Sequence, residues 1–89
     1  MAKRKMRKKL KEVLDLPAEI VMNAPRVVLD SNLNVLIENY KGIIEYSDAF
    51  VRVNTSEFTI KVEGRNLAID FITLEDLSIS GEIHSVIYD

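Results

Sequence analysis

Hydrophobic and polar residues alternate with a period of two along most of the chain after residue 25. The pattern is clearest in FTIKVEGRNLAIDFI, which has apolar positions at Phe58, Ile60, Val62, Leu67, Ile69 and Phe71. Successive side chains of a β-strand point to opposite faces of the sheet. These six residues are therefore predicted to face a hydrophobic core.

Turn-forming residues divide this alternating region into short strands. They occur as DSN at 30–32, NYKG at 39–42, SD at 47–48, NTS at 54–56 and GRN at 64–66. GRN is read as a hairpin turn, and Asp48 as the residue that caps the turn at 47–48. The strands between the turns are predicted at Arg26–Asp30, Leu33–Asn39, Ile43–Tyr46, Ala49–Asn54, 58–63, 67–72, Leu77–Ser80 and Glu82–Tyr88. Residues 26–89 are therefore predicted to form an all-β domain, an antiparallel β-sandwich of seven or eight short strands.

The first sixteen residues follow a helical period instead. One apolar stripe, at i, i+4, i+7 and i+8, is formed by Met6, Leu10, Val13 and Leu14, and lysine and arginine occupy most of the remaining circumference. Proline disfavours a helical conformation in the residue before it, so this basic amphipathic helix is expected to end near Leu16. Residues 17–25, bounded by two prolines, are predicted to be a short helical turn or linker.

Charge also divides the chain, at residue 12, within the predicted helix. Its 89 residues have a net charge of −2, but residues 1–12 hold seven Lys and Arg against one acid, +6. Residues 13–89 hold five Lys and Arg against thirteen acids, which is −8. An acidic domain repels phosphate, so nucleic acid is disfavoured as its partner, whereas the basic arm is expected to have a partner of its own.

Other features of the composition narrow the class of protein. The chain has no cysteine, which excludes disulfides, Cys-ligated zinc and thiol nucleophiles and favours a cytoplasmic protein. No apolar run follows the basic residues, so a secretory signal is not expected, and no segment is long enough to span a bilayer.

Few residues suggest catalysis. His84 is the single histidine, and its simplest interpretation is a residue on the sheet surface rather than a metal ligand. A Ser-His-Asp arrangement would have to use Ser80 or Ser85 as the nucleophile. Neither serine lies in a strand-to-helix turn of the kind that exposes a nucleophile. The adjacent acids Glu75 and Asp76 are typical of a solvated turn. We therefore expect a non-enzymatic protein with no metal and no cofactor.

The basic helix remains the candidate binding site. The residues expected to contact a partner or membrane are Lys5, Arg7, Lys8, Lys9, Leu10, Lys11, Val13 and Leu14. Four interpretations stay open: docking on its own domain or a solvated leader, an anionic membrane surface or membrane protein, another protein, and nucleic acid. Exposed edge strands also favour homo-oligomers.

The order of these segments resembles the YqfC/YabP sporulation protein family, and the YqfC branch in particular. The residues that carry the resemblance are Leu16, Pro17, Ile20, Pro25 and Arg26; Ile37–Asn39, Gly42 and Tyr46–Asp48; Gly64–Leu67; and Ile79, Gly81, Ile83 and Val86. Together with the segments between them they cover nearly all of the chain from Leu10 to Tyr88.

The resemblance implies a small β-sandwich protein made in the mother cell of endospore-forming bacteria. It also implies a non-enzymatic role in spore formation, and a sporulation membrane protein like YqfD as partner. On this basis the chain is expected in the mother-cell cytoplasm, peripheral at the forespore-facing membrane. The resemblance supplies no catalytic residues, and a nucleic-acid-associated sporulation regulator remains the alternative.

Overall fold

A computed structural model describes residues 24–89, which form a single antiparallel sheet of six strands. The strands are β1 (Arg26–Asp30), β2 (Asn34–Glu38), β3 (Tyr40–Tyr46), β4 (Phe50–Thr55), β5 (Thr59–Ile72) and β6 (Asp76–Tyr88). Their order across the sheet is β1-β2-β6-β5-β4-β3. The prediction of an all-β, antiparallel fold is confirmed. The predicted helix over residues 1–16, and the linker up to residue 23, lie outside the described residues.

The predicted number of strands is wrong because two of the predicted breaks are not turns. The chain runs straight on through Gly64–Asn66 within β5, and through Gly81 within β6. Both positions are irregularities in the β5–β6 ladder, where the register shifts between Glu63 and Gly64 and again between Arg65 and Ala68. Asn66 has a φ of 55° and Gly81 a φ of 136°. Residues that tolerate positive φ suit a bulge as well as a hairpin turn, so local sequence did not distinguish the two.

These irregularities divide the sheet into two halves that share β5 and β6. The first half contains β1, β2, residues 76–80 of β6 and residues 68–72 of β5. The second contains residues 82–88 of β6, residues 59–65 of β5, β4 and β3. The halves are continuous with each other, so the structure is one sheet rather than the predicted sandwich of seven or eight strands.

One hydrophobic core serves both halves of the sheet. Eight side chains are fully shielded from solvent: Val35, Ile37, Val51, Val53, Ile60, Val62, Leu77 and Ile79. They alternate with polar or less buried residues along β2, β4 and the buried parts of β5 and β6. Burying each such side chain contributes about 1.5–3 kcal/mol relative to leaving it exposed, so the core is the main stabilising element of the domain.

The period-two reading placed one aromatic residue in the core correctly and another wrongly. Phe58 packs against the core and makes an edge-to-face contact with Tyr88, with ring centroids 5.1 Å apart. Phe71 is 47% exposed. A register shift between Ile69 and Phe71 adds one residue to the strand. A single inserted residue moves every later side chain to the opposite face, so Phe71 lies on the outer surface.

The short connections are held by side-chain oxygens. The Oγ of Ser47 accepts hydrogen bonds from the backbone N–H groups of Ala49 and Phe50, both at 3.1 Å. Thr55 serves the β4–β5 turn in the same way, accepting from the N–H groups of Glu57 and Phe58. The turn at 47–48 is therefore capped by Ser47 and not, as predicted, by Asp48. Hydroxyl and carboxylate oxygens can both accept in such turns, and their order along the chain does not decide between them.

Candidate functional site

The predicted docking residues lie outside the part of the chain that the structure describes. This holds for all eight: Lys5, Arg7, Lys8, Lys9, Leu10, Lys11, Val13 and Leu14. The structure does show where the arm joins the sheet. The side-chain amide of Asn39 donates a hydrogen bond to the carbonyl oxygen of Ala24 at 2.9 Å, at the junction between β2 and β3. The described part of the chain therefore begins beside the end of β2.

His84 lies on the sheet surface, paired with Glu82. Its Nε2 atom is 2.5 Å from Oε2 of Glu82, and the Nε of Arg65 is 4.0 Å from the same oxygen. The hydrogen bond from His84, followed by the positive charge of Arg65, holds the pKa of Glu82 below its ordinary value of 4.5. Any stabilisation from this carboxylate is complete above pH 4.5 and disappears as the pH falls through the lower folded-state pKa. The cluster is exposed, so we assign it no more than a surface ion-pair role.

Neither candidate serine bonds to this histidine. The Oγ of Ser85 donates to Oε1 of Glu63 at 2.9 Å, and the Oγ of Ser80 to the carbonyl oxygen of Ala68 at 3.5 Å. No group of three or more metal-ligating side chains occurs in residues 24–89. Every buried side-chain nitrogen or oxygen of the described region has a hydrogen-bond partner.

Of the two adjacent acids, Glu75 lies in the turn between β5 and β6, and Asp76 is the first residue of β6. The Oγ1 of Thr73 accepts hydrogen bonds from the N–H groups of both, at 3.2 and 2.9 Å. The carbonyl oxygen of Glu75 accepts from the N–H groups of Asn39 and Tyr40. The phenol of Tyr40 donates to the carbonyl oxygen of Thr73 at 2.7 Å. This turn thus ties the β5–β6 hairpin to the β2–β3 junction, which accounts for these residues structurally.

Replacing Thr73 with valine tests the role of this turn. Thr73→Val keeps the shape of the side chain and removes the oxygen that accepts two backbone hydrogen bonds. We expect a loss of about 1–2 kcal/mol in the free energy of unfolding, since each net hydrogen bond contributes roughly 0.5–1.5 kcal/mol. Urea denaturation followed by circular dichroism measures it. Thr73→Ser keeps the acceptor and should stay close to wild type; equal losses in both variants would contradict this role.

The outer side of the first half of the sheet forms a second candidate surface, separate from the basic arm. Residues that alternate with the core positions point to it, and we call it the acidic face. Its members are Arg26, Val28, Asp30, Asn34, Leu36, Glu38, Ala68, Asp70, Phe71, Asp76, Ser78 and Ser80. Four acids and one arginine give this face a net charge of −3.

An apolar row crosses the acidic face from one edge to the other. Val28 pairs with Leu36, Leu36 with Ser78, and Ser78 with Phe71, so the four side chains lie side by side on four strands. Ser78 is only 2% exposed, and its hydroxyl lies 3.0 Å from the side-chain amide of Asn34 and 3.5 Å from the carboxylate of Asp70. The small serine is thus covered by its neighbours in the row, and acids lie on both sides of the row.

Sequence patterns did not reveal this surface. Its apolar members are far apart in the chain, and Phe71 was assigned to the core because the extra residue at Asp70 is invisible to a period-two reading. The excess of acids after residue 12 was visible, but their collection on one face depends on the strand order.

Residues 24–89 contain no helix of the length and apolar character needed to cross a membrane.

Comparison with known proteins agrees with the resemblance noted from the sequence. A family model described as the YabP family matches residues 23–89. The chain is also 31% identical over 90 residues to the "Uncharacterized protein YqfC" of Bacillus subtilis (strain 168), covering 99% of this chain and 97% of that protein. No solved structure matches the chain. The family match covers the whole described sheet, and the chain therefore belongs to the YabP family.

Proposed function

We propose that this protein is a non-enzymatic sporulation protein whose sheet domain is a scaffold and whose basic arm docks a membrane-associated partner. Membership of the YabP family supports the sporulation role, because the family resemblance implies it. The proposed partner is a YqfD-like membrane protein or the anionic membrane surface around it. The proposed location is the mother-cell cytoplasm, at the forespore-facing membrane.

The observation that carries the docking role is the separation of charge along the chain. Residues 1–12 hold a net +6 and residues 13–89 a net −8. Each Lys or Arg close to an anionic leaflet contributes about 1 kcal/mol to binding. The acidic domain is repelled by the same surface. Such a protein would hold its arm against the membrane and its sheet away from it.

The polar groups of the domain are consistent with a scaffold rather than an enzyme. Ser85 is hydrogen-bonded to Glu63, His84 is paired with Glu82, and the Glu75–Asp76 turn is engaged by the β2–β3 junction. All of these interactions hold the sheet together.

Flotation with liposomes tests the arm as a membrane-docking element. Full-length protein is mixed with anionic or neutral vesicles, with duplex DNA as a parallel ligand. We expect flotation with anionic vesicles only, and a loss of about tenfold or more in affinity for Leu10→Glu/Leu14→Glu. The two leucines supply buried apolar area, each worth about 1.5–3 kcal/mol when fully buried.

The matched control is Ala2→Glu/Ala18→Glu, which changes the net charge equally but leaves the apolar stripe intact. It should retain most of the binding, since the stripe and the cluster of lysines remain. Equal loss in both double variants would show that charge alone matters. Binding of DNA by wild type and Leu10→Glu/Leu14→Glu alike, without binding to vesicles, would contradict membrane docking and favour the nucleic-acid-associated regulator.

A further inference from the structure

The geometry points to a second site for the basic arm within its own chain: we propose that residues 3–16 dock on the acidic face of the first half-sheet. The occupant is the arm of the same molecule, and the surface is the apolar row from Val28 to Phe71 with the acids beside it. This inference does not depend on what the arm binds elsewhere. It follows from the position, charge and dimensions of the face.

The apolar row on the sheet and the predicted apolar stripe of the arm have similar lengths. The row Val28–Leu36–Ser78–Phe71 spans four neighbouring strands, a width of about 14 Å at roughly 4.8 Å per strand. On a helix, the stripe from Met6 to Leu14 would be about 12 Å long at 1.5 Å per residue. Phe71 is 47% exposed at one end of the row. Covering it and the neighbouring side chains with the stripe would remove apolar surface from water.

The charges are complementary on both sides of the row. Glu38 and Asp76 lie together on one side, because they are register partners. Asp30 lies on the other side and Asp70 beside Ser78. Basic residues flank the predicted apolar stripe of the arm in the same manner. Residues 3–16 hold seven Lys and Arg against two acids, a net charge of +5, and the surface has a net charge of −3, which favours this face over the rest of the sheet.

The point of attachment places the arm within reach. Ala24 is held by the Asn39 side chain, and β1 begins at Arg26, on the edge of the acidic face. Arg26, Glu38 and Asp76 form the row next to the apolar one. Residues 17–23 could extend up to about 24 Å, more than the width of the face, so a return of the arm onto this surface requires no change in the sheet.

Paramagnetic relaxation enhancement measures this docking directly. The chain has no cysteine, so Glu12→Cys accepts a single nitroxide and leaves every basic residue of the arm intact. In dilute full-length protein without lipid, we expect the amide signals of Leu36, Ser78 and Phe71 to lose most of their intensity. Signals of Glu45 and Arg52 in the second half of the sheet should be unaffected. Uniform or absent broadening would overturn the proposal.

Charge reversals test whether the acidic face is the surface that binds the arm. Asp70→Lys/Asp76→Lys should abolish the broadening on the acidic face, whereas Glu45→Lys/Glu57→Lys, with the same change in net charge, should preserve it. Phe71→Ser removes the exposed end of the row without altering charge and should weaken the broadening. Retention of full broadening in Asp70→Lys/Asp76→Lys would overturn the proposal.

A mixing experiment separates this arrangement from docking between two copies. Nitroxide-labelled protein without isotope is mixed with isotope-labelled protein that carries no nitroxide. We expect no broadening in the mixture, because the arm reaches its own acidic face. Broadening of Leu36, Ser78 and Phe71 in the mixture would assign the face to the arm of a second copy and overturn the intramolecular proposal.

Discussion

Replacing Gly64 with alanine is expected to unfold the protein or to reduce its free energy of unfolding by about 3 kcal/mol or more. A Cβ atom at position 64 would overlap the backbone carbonyl oxygen of Glu82 and also meet the side chain of Leu67. Overpacking usually costs about 1–3 kcal/mol, and backbone cannot rotate aside as a side chain can. Since domains are stable by only about 5–15 kcal/mol, such a loss is a large share of the total. Urea unfolding measures it.

Gly42→Ala is the matched control for this substitution. Gly42 also lies inside a strand, but a Cβ atom there would meet no atom within 4 Å. Alanine is favoured over glycine in strands by roughly 0.5–1 kcal/mol, so this variant should be as stable as wild type or slightly more stable. Similar losses in both alanine variants would show that the approach of β5 to β6 at Gly64 is not the constraint.

Ile79→Ala is expected to cost about 2–5 kcal/mol, the range for truncating a fully buried aliphatic side chain. Ile79 is completely shielded from solvent, and its register partners are Val35 on β2 and Ile69 on β5. The cavity would open in the middle of the first half of the sheet, with strands on both sides to hold it open. The expected change is a lower urea midpoint with an unchanged slope.

Leu74→Ala removes a comparable side chain from a position where it contributes no burial. Leu74 is 97% exposed, at the tip of the turn between β5 and β6. Substitutions at such positions usually change stability by no more than about 0.5 kcal/mol. A loss at Leu74 as large as that at Ile79 would contradict the assignment of the core to the inner positions of β2, β4, β5 and β6.

The strands were predictable because their alternation is a local property. Apolar positions separated by one residue point to one side of a strand whatever surrounds them, and this identified Ile60, Val62 and Leu67 as core residues correctly. The same reading failed at Phe71, where one extra residue reverses the alternation. Whether a strand contains a bulge depends on its partner strand, which no local pattern includes.

Two glycines also depend on a partner strand that no local pattern includes. Gly64 and Gly81 each lay between two predicted strands, and both lie at irregularities of the β5–β6 ladder. A Cβ atom at either position would overlap the backbone of the partner strand: β6 at Gly64 and β5 at Gly81. Gly81 has in addition a positive φ. The close approach exists only because another strand passes beside each glycine.

The sequence by itself determined the all-β class, the antiparallel strands, three of the ten buried core residues (Ile60, Val62 and Leu67) and the division between a basic arm and an acidic domain. Each of these depends on neighbours in the chain: the spacing of apolar residues, the turn formers between them, and the order of charges. Only the tertiary structure decided that eight predicted strands are six, that β5 and β6 continue through bulges rather than turn back, and that four acids meet beside one apolar row. Those features depend on strand pairing between distant segments, which brings Val28, Leu36, Ser78 and Phe71 together on one surface.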